Sequence, residues 1–202
     1  MDGVIVDSEP LHERAFLEVF QEMGYGETHG IHFPSYYGKS DETLWIDFIA
    51  KHRPKQPYDE LAAWKQQRFI DIIRAAQPIF ESLPDLVEKL SRRYQLGLAS
   101  GSLHAVIDEV LAMKNLRQFF PVCVSVEDVP RGKPEPDIFL RAADLLNAKP
   151  AACCVIEDSS AGVHAALAAG MQVIAITNSL PAEQLAAATH VVRTYEEIER
   201  LL

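Results

Sequence analysis

Glu157-Asp158 places two adjacent carboxylates directly after the apolar run Cys154-Val155-Ile156. Hard oxygen ligands of this kind suit Mg²⁺, although Asp158 or Ser159 serves equally well as a helix cap. Lys133, in Gly132-Lys133-Pro134-Glu135-Pro136-Asp137, stands at the mouth of a predicted helix, in a loop stiffened by two prolines. An ammonium there can neutralise a phosphoryl oxygen, whereas an isolated surface lysine beside a proline ordinarily does nothing. Ser100-Gly101-Ser102 follows Leu96-Gly97-Leu98-Ala99. It offers a hydroxyl, then a residue that lets the backbone approach a ligand, then a helix start whose N–H groups favour an anion. Taken alone, Ser102 reads as a helix N-cap. Asp2-Gly3 and Asp7-Ser8 flank Val4-Ile5-Val6, and either aspartate also suits a turn.

Residues so far apart in the chain need a scaffold that gathers their ends. Leu11, Ala15, Val19, Phe20 and Met23 recur at helical spacing until Gly24 and Gly26 stop them. Leu44, Trp45, Phe48 and Ile49 mark a second helix ending near Pro54, and Leu61, Trp64, Phe69, Ile72, Ile73 and Ala76 a third, closed by Pro78. From Pro84 onward the pattern becomes short apolar runs at 95–99, 122–126, 153–156, 173–176 and 190–192. Amphipathic helices lie between them, on Leu103 to Leu111, on Ile138 to Leu145 and on the Ala-rich stretch 161–169 before Gly170. Strands separated by crossover helices imply an α/β unit with a parallel sheet covered on both faces. Functional groups collect at the carboxyl ends of such strands, where Ser100 and Glu157 stand. Because Val4-Ile5-Val6 precedes the helical stretch, the helical unit reads as an insertion: a core of 1–10 and 81–202, and an all-helical unit of 11–80.

The 202 residues suffice for one α/β core plus an insert, and 48% hydrophobic with 24% charged residues can bury a sizeable core. A formal net charge of −10 without a Lys/Arg cluster argues against nucleic acid or an anionic membrane as partner. It leaves room for a small anionic substrate, because a metal ion and one or two cations can invert the field inside a pocket. No apolar run approaches the roughly 20 residues of a spanning helix, and Asp2 and Asp7 interrupt the one apolar stretch that could open a signal peptide. Cys123, Cys153 and Cys154 lie in apolar strand-like runs and not at metal-ligand spacing, so they are expected as reduced core residues of a cytoplasmic protein.

The order of the four segments is more specific than any one of them. Asp2-Gly3-Val4-Ile5-Val6-Asp7-Ser8-Glu9, Leu98-Ala99-Ser100-Gly101-Ser102, Gly132-Lys133-Pro134-Glu135-Pro136-Asp137 and Val155-Ile156-Glu157-Asp158-Ser159 resemble the ordered motifs of the haloacid dehalogenase superfamily. The likeness is to the subgroup of β-phosphoglucomutase and phosphoglycolate phosphatase, and it covers the whole chain. The resemblance implies a Rossmann-like three-layer core with a small helical cap inserted after the first motif. It further implies Mg²⁺-dependent hydrolysis of a small phosphorylated metabolite through an aspartyl-phosphate. Asp2 would be the general acid and base and a backbone metal ligand. Ser100 would bind the phosphoryl group with Gly101 and Ser102, Lys133 would pair with that group and the nucleophile, and Glu157 and Asp158 would hold the metal. In the cap, Glu9, His12, Lys39 and Ser40 would face the substrate. The protein is read as a monomer.

Two departures qualify the resemblance. Its nucleophilic aspartate is expected immediately before Met1, at the end of an apolar strand central to the sheet, between the strands that lead to Ser100 and Glu157. β-Phosphoglucomutases carry an arginine three residues after the cap glycine, for a second phosphate, and here that position after Gly38 is Asp41. A plain phosphatase is therefore expected. A β-phosphoglucomutase-like phosphotransferase and a catalytically inactive phosphate-binding homologue are the alternatives. A dehalogenase is disfavoured by the presence of Asp2 and Glu157-Asp158.

Overall fold

The computed structural model describes residues 1–36 and 40–202, and its chain crosses twice between two units, after Asp7 and after Ala76. The unit of Ser8–Ala76 is built on helices α1 (Glu9–Glu22), α2 (Asp41–His52) and α3 (Tyr58–Ala76). Their apolar residues recur every three or four positions, which puts one face of each helix inward. Phe16, Val19 and Phe20 of α1 meet Leu44, Trp45 and Phe48 of α2 and Leu61 of α3. Phe20 and Phe48 stack at 4.3 Å, and Trp45 meets both edge-on at 5.6 Å. Such ring pairs add to the burial of area, so Phe48→Ala is expected to cost about 3–5 kcal/mol in this unit. Denaturant unfolding measures it, and a loss below about 1 kcal/mol would contradict this packing.

Met1–Asp7 and Gln77–Leu202 form the second unit. It runs through α4 (Leu83–Ser91), β1 (Gly97–Ser100), α5 (His104–Ala112), β2 (Val122–Ser125), α6 (Asp137–Leu145), β3 (Cys154–Glu157), α7 (Ser160–Ala168), β4 (Gln172–Ile176), β5 (His190–Val192) and α8 (Tyr195–Leu201). All strand pairs are parallel, β1 with β2 and β3-β4-β5 in that order, giving the expected α/β class with helical crossovers. Among the described residues no ladder joins β1 to β3. Val124, Val155 and Val173 from the strands pack with Ile138, Phe139 and Val163 from α6 and α7. The register sets Ser100 opposite Ser125 and Glu157 opposite Ala175, so two strand ends carry polar groups at the same edge of their sheets.

Three details differ from the sequence-based expectations. Helices α4 and α8 were not anticipated. The cysteines are not core residues: Cys123 and Cys153 are half-buried and Cys154 is exposed, all three unbridged. Strand alternation explains Cys154, since neighbouring side chains point to opposite faces and in β3 it is Val155 and Glu157 that turn inward. No helix among the described residues is long and apolar enough to cross a membrane.

Candidate active site

Glu157 ends β3 and is almost completely buried, an arrangement that costs several kcal/mol unless the charge is satisfied. It is satisfied from two sides. Oε1 forms an ion pair with Lys133, and Oε2 accepts from the amides of Asp158 and Ser159 at 2.9 and 3.0 Å and from the Ser159 hydroxyl at 2.9 Å. Burial pushes this carboxyl up, yet the Lys133 ammonium overcomes it and holds the group down at about 2. Ser159 is the N-cap of α7, its hydroxyl oxygen accepting from the Gly162 amide at 3.0 Å. A Cβ on Gly162 would overlap the Glu157 carboxyl. Gly162→Ala is therefore expected to displace Glu157 from Lys133 and weaken phosphate binding; unchanged binding of inorganic phosphate by calorimetry would contradict this.

Asp158 lies beside Glu157, 8% exposed, and accepts from the Ser179 hydroxyl. Burial and the neighbouring Glu157 charge raise its carboxyl to about 7. Gly3 approaches so closely that a Cβ would overlap Asp158 and Ser179, and its φ of +65° disfavours other residues there. Gly3 belongs to a tight turn in which its amide donates to Val6 O at 2.9 Å and Ile5 N donates to Met1 O at 2.7 Å. Asn178 donates to Gly3 O at 2.8 Å, and the Tyr195 hydroxyl donates to Val4 O at 2.8 Å, so the segment after β4 and the start of α8 anchor this turn. Next to Gly3, the half-buried Asp2 accepts from the Ser102 hydroxyl at 2.7 Å. The Ser102 amide in turn donates to the buried Ser100 hydroxyl at 3.1 Å, and Gly101 is exposed between them. Leu103, not Ser102, is the N-cap of α5.

Asp2, Ser102 and Ser100 thus form one set of polar contacts and Lys133, Glu157 and Asp158 another, and the close approach of Gly3 to Asp158 brings the two together. Sequence reasoning missed Ser179, Asn178 and Tyr195, whose partners lie in the first four residues and at Asp158. Spacing along the chain carries no sign of these bonds, since all three reach across from the turn after β4 and from α8.

In the helical unit, Glu9 opens α1, His12 lies one turn on and Ser40 is the N-cap of α2, its hydroxyl 3.2 Å from that of Thr43. Lys39, with Tyr37 and Gly38, lies outside the described residues. A further residue went unremarked in the sequence. Lys65 is 1% exposed, and its ammonium donates to Asp41 Oδ2 at 2.5 Å and lies 2.6 Å from His12 Nδ1. His12 stacks on Phe69 at 3.8 Å, with Lys65 5.0 Å from the same ring. A charge in line with Leu61 and Phe69 on the buried stripe of α3 is the signal that could have found it.

A profile of haloacid dehalogenase-like hydrolases matches residues 1–176. Hexitol phosphatase B of Escherichia coli strain K12 is 31% identical over 183 residues, covering 87% of this chain and 80% of that protein. Fructose-1-phosphate phosphatase YqaB of the same strain is 30% identical over 176 residues, covering 86% and 92%. A crystal structure of β-phosphoglucomutase from Clostridium difficile superposes with a TM-score of 0.77 at 25% identity, over 98% of this chain and 92% of that one. The chain belongs to the haloacid dehalogenase-like hydrolases.

Proposed function

We propose that this chain is a phosphatase that hydrolyses monophosphate esters of small sugars or polyols, with Mg²⁺ and through an aspartyl-phosphate. The observation that carries the proposal is the connection of all four polar segments: Asp2 to Ser102, Ser102 to Ser100, Lys133 to Glu157, and Gly3 against Asp158. By the resemblance, its attacking carboxylate would be an aspartate directly before Met1. A phosphate monoester is anionic and repels such a carboxylate, so its charge must be cancelled first. Lys133 supplies one positive charge, against Asp2, Glu157 and Asp158.

That excess of negative charge fits a dication. Among the described residues no three His, Cys, Asp or Glu side chains converge on a point, so two carboxylates and a backbone oxygen would form the donor set. Mg²⁺ suits this arrangement because it usually keeps several waters. Glu157 Oε2 is filled by three donors, so Asp158 Oδ1 and Glu157 Oε1, the latter shared with Lys133, would hold the ion, together with the Asp2 carbonyl that the resemblance implies. When bound, the ion would screen the phosphoryl charge. Asp2 gives a proton to the ester oxygen and later takes one from water. Ser100 and Gly101 hold the phosphoryl oxygens.

The resemblance gives Glu9, His12, Lys39 and Ser40 to the carbon chain of the substrate. Lys65 is committed to Asp41 beside His12, so this described ion pair is close to neutral and suits hydroxyl groups better than a second phosphate. The names of the relatives, a hexitol phosphatase and a fructose-1-phosphate phosphatase, point the same way. Phosphate release from hexitol and ketose monophosphates, in Mg²⁺ and with the expected aspartate in front of Met1, tests the proposal. Absence of release across a panel of monoesters would overturn it, and preferential turnover of a bisphosphate would overturn the substrate class.

A further inference from the structure

Ser102 was expected among the phosphate-binding residues, yet its hydroxyl donates to Asp2 Oδ2 at 2.7 Å. Its backbone is held from both sides. The amide donates to Ser100 Oγ at 3.1 Å, and the carbonyl accepts from Ser125 Oγ at 2.8 Å. Ser125 is fully buried and is fixed in turn, its hydroxyl accepting from the Glu127 amide at 3.1 Å and its own amide donating to Asp128 at 2.8 Å. Ser100 and Ser125 face each other in the register of β1 and β2. A continuous set of bonds therefore runs from the ends of these two strands through Ser102 to Asp2.

A carboxyl that delivers a proton must aim one oxygen at the ester oxygen, and an unrestrained aspartate turns readily about its last torsion. A hydroxyl donating to Oδ2 fixes that torsion and so sets the direction of the other oxygen. A serine has one O–H to donate. Here it is spent on Asp2, and none remains for a phosphoryl oxygen. We infer that Ser102 is a positioning residue for Asp2 and not a phosphate ligand; this rests on the phosphatase reading above.

In the first transfer, the bond from phosphorus to the ester oxygen breaks as the bond from phosphorus to the attacking carboxylate oxygen forms. The electron pair left on the ester oxygen takes the Asp2 proton, and an alcohol leaves. An alkoxide needs that proton. A nitrophenolate, the base of a far stronger acid, departs without it. Because kcat/KM reports the steps up to this transfer, the two kinds of ester separate positioning of the acid from binding of the phosphate.

The test compares wild type, Ser102→Ala and Ser102→Thr, each with the expected aspartate before Met1, on glycerol 3-phosphate and p-nitrophenyl phosphate. Ser102→Ala is expected to lower kcat/KM by about 10–100-fold on the alkyl ester and by less than about threefold on the aryl ester. Ser102→Thr, which keeps the hydroxyl, restores the alkyl activity. Calorimetry with inorganic phosphate gives a Kd for Ser102→Ala within about twofold of wild type, since no phosphate contact is lost. A loss shared equally by both esters, or weakened phosphate binding, overturns the inference. Failure of wild type on both esters overturns instead the reading on which it rests.

Discussion

With the expected aspartate in front of Met1, Asp2→Asn lowers turnover of an alkyl phosphate by about 10²–10⁴-fold, the usual worth of a positioned general acid. Asparagine suits this test because it keeps the size of the side chain, the backbone carbonyl and an oxygen that can accept from Ser102. What it loses is the transferable proton. Gly3 and the contacts of its turn to Asn178 and Tyr195 lie outside the substitution, so the fold and the affinity for inorganic phosphate should persist. Activity within a factor of about three of wild type would remove Asp2 from the acid and base role. Loss of phosphate binding along with activity would mean that its carboxylate organises the site and does not merely move a proton.

Much of the scaffold behind Asp2 was legible in the sequence. Parallel strands separated by helices have a strong signature, and their carboxyl ends mark Ser100 and Glu157. Boundaries moved by one or two residues, as at 95–99 against Gly97–Ser100, because strand ends depend on which partner is available for hydrogen bonding. Helix α8 was overlooked although it carries a cue, Thr194 and Glu197 in a capping box. Helix α4 likewise shows Leu83, Leu86, Val87 and Leu90 at helical spacing. Both are short, and a pattern over two turns stands out little from its surroundings.

Side-chain partners were much less legible. Ser102 could be placed near an anion site from its position after a strand, but not against Asp2, because that bond depends on how two distant turns meet. Ser159 was legible as a cap because its partner, the Gly162 amide, is three residues away. Lys65 falls between these cases. Its burial could be read from the stripe it interrupts, whereas its pairing with Asp41 and His12, on two other helices, follows only from their packing.

Replacing Asp158 by asparagine should abolish Mg²⁺-dependent turnover while leaving the metal-free protein at least as stable as wild type. Two buried carboxylates side by side repel one another, and Lys133 balances only one of them. Burial and the Glu157 charge raise Asp158 to about 7, the mark of a charge that the fold alone does not welcome. Asparagine removes that charge and retains an oxygen for the Ser179 hydroxyl. A structural carboxylate would behave in the opposite way, since its charge would be balanced within the fold and losing it would lower the melting temperature. Excess chelator should abolish wild-type activity, and Mg²⁺ should raise the melting temperature of wild type by mass action but not that of the variant. A variant that melts well below wild type in metal-free buffer would make Asp158 a scaffold residue. Undiminished wild-type turnover in chelator would end the case for the metal, because the charge on the phosphoryl group would then be cancelled by the protein's own groups alone.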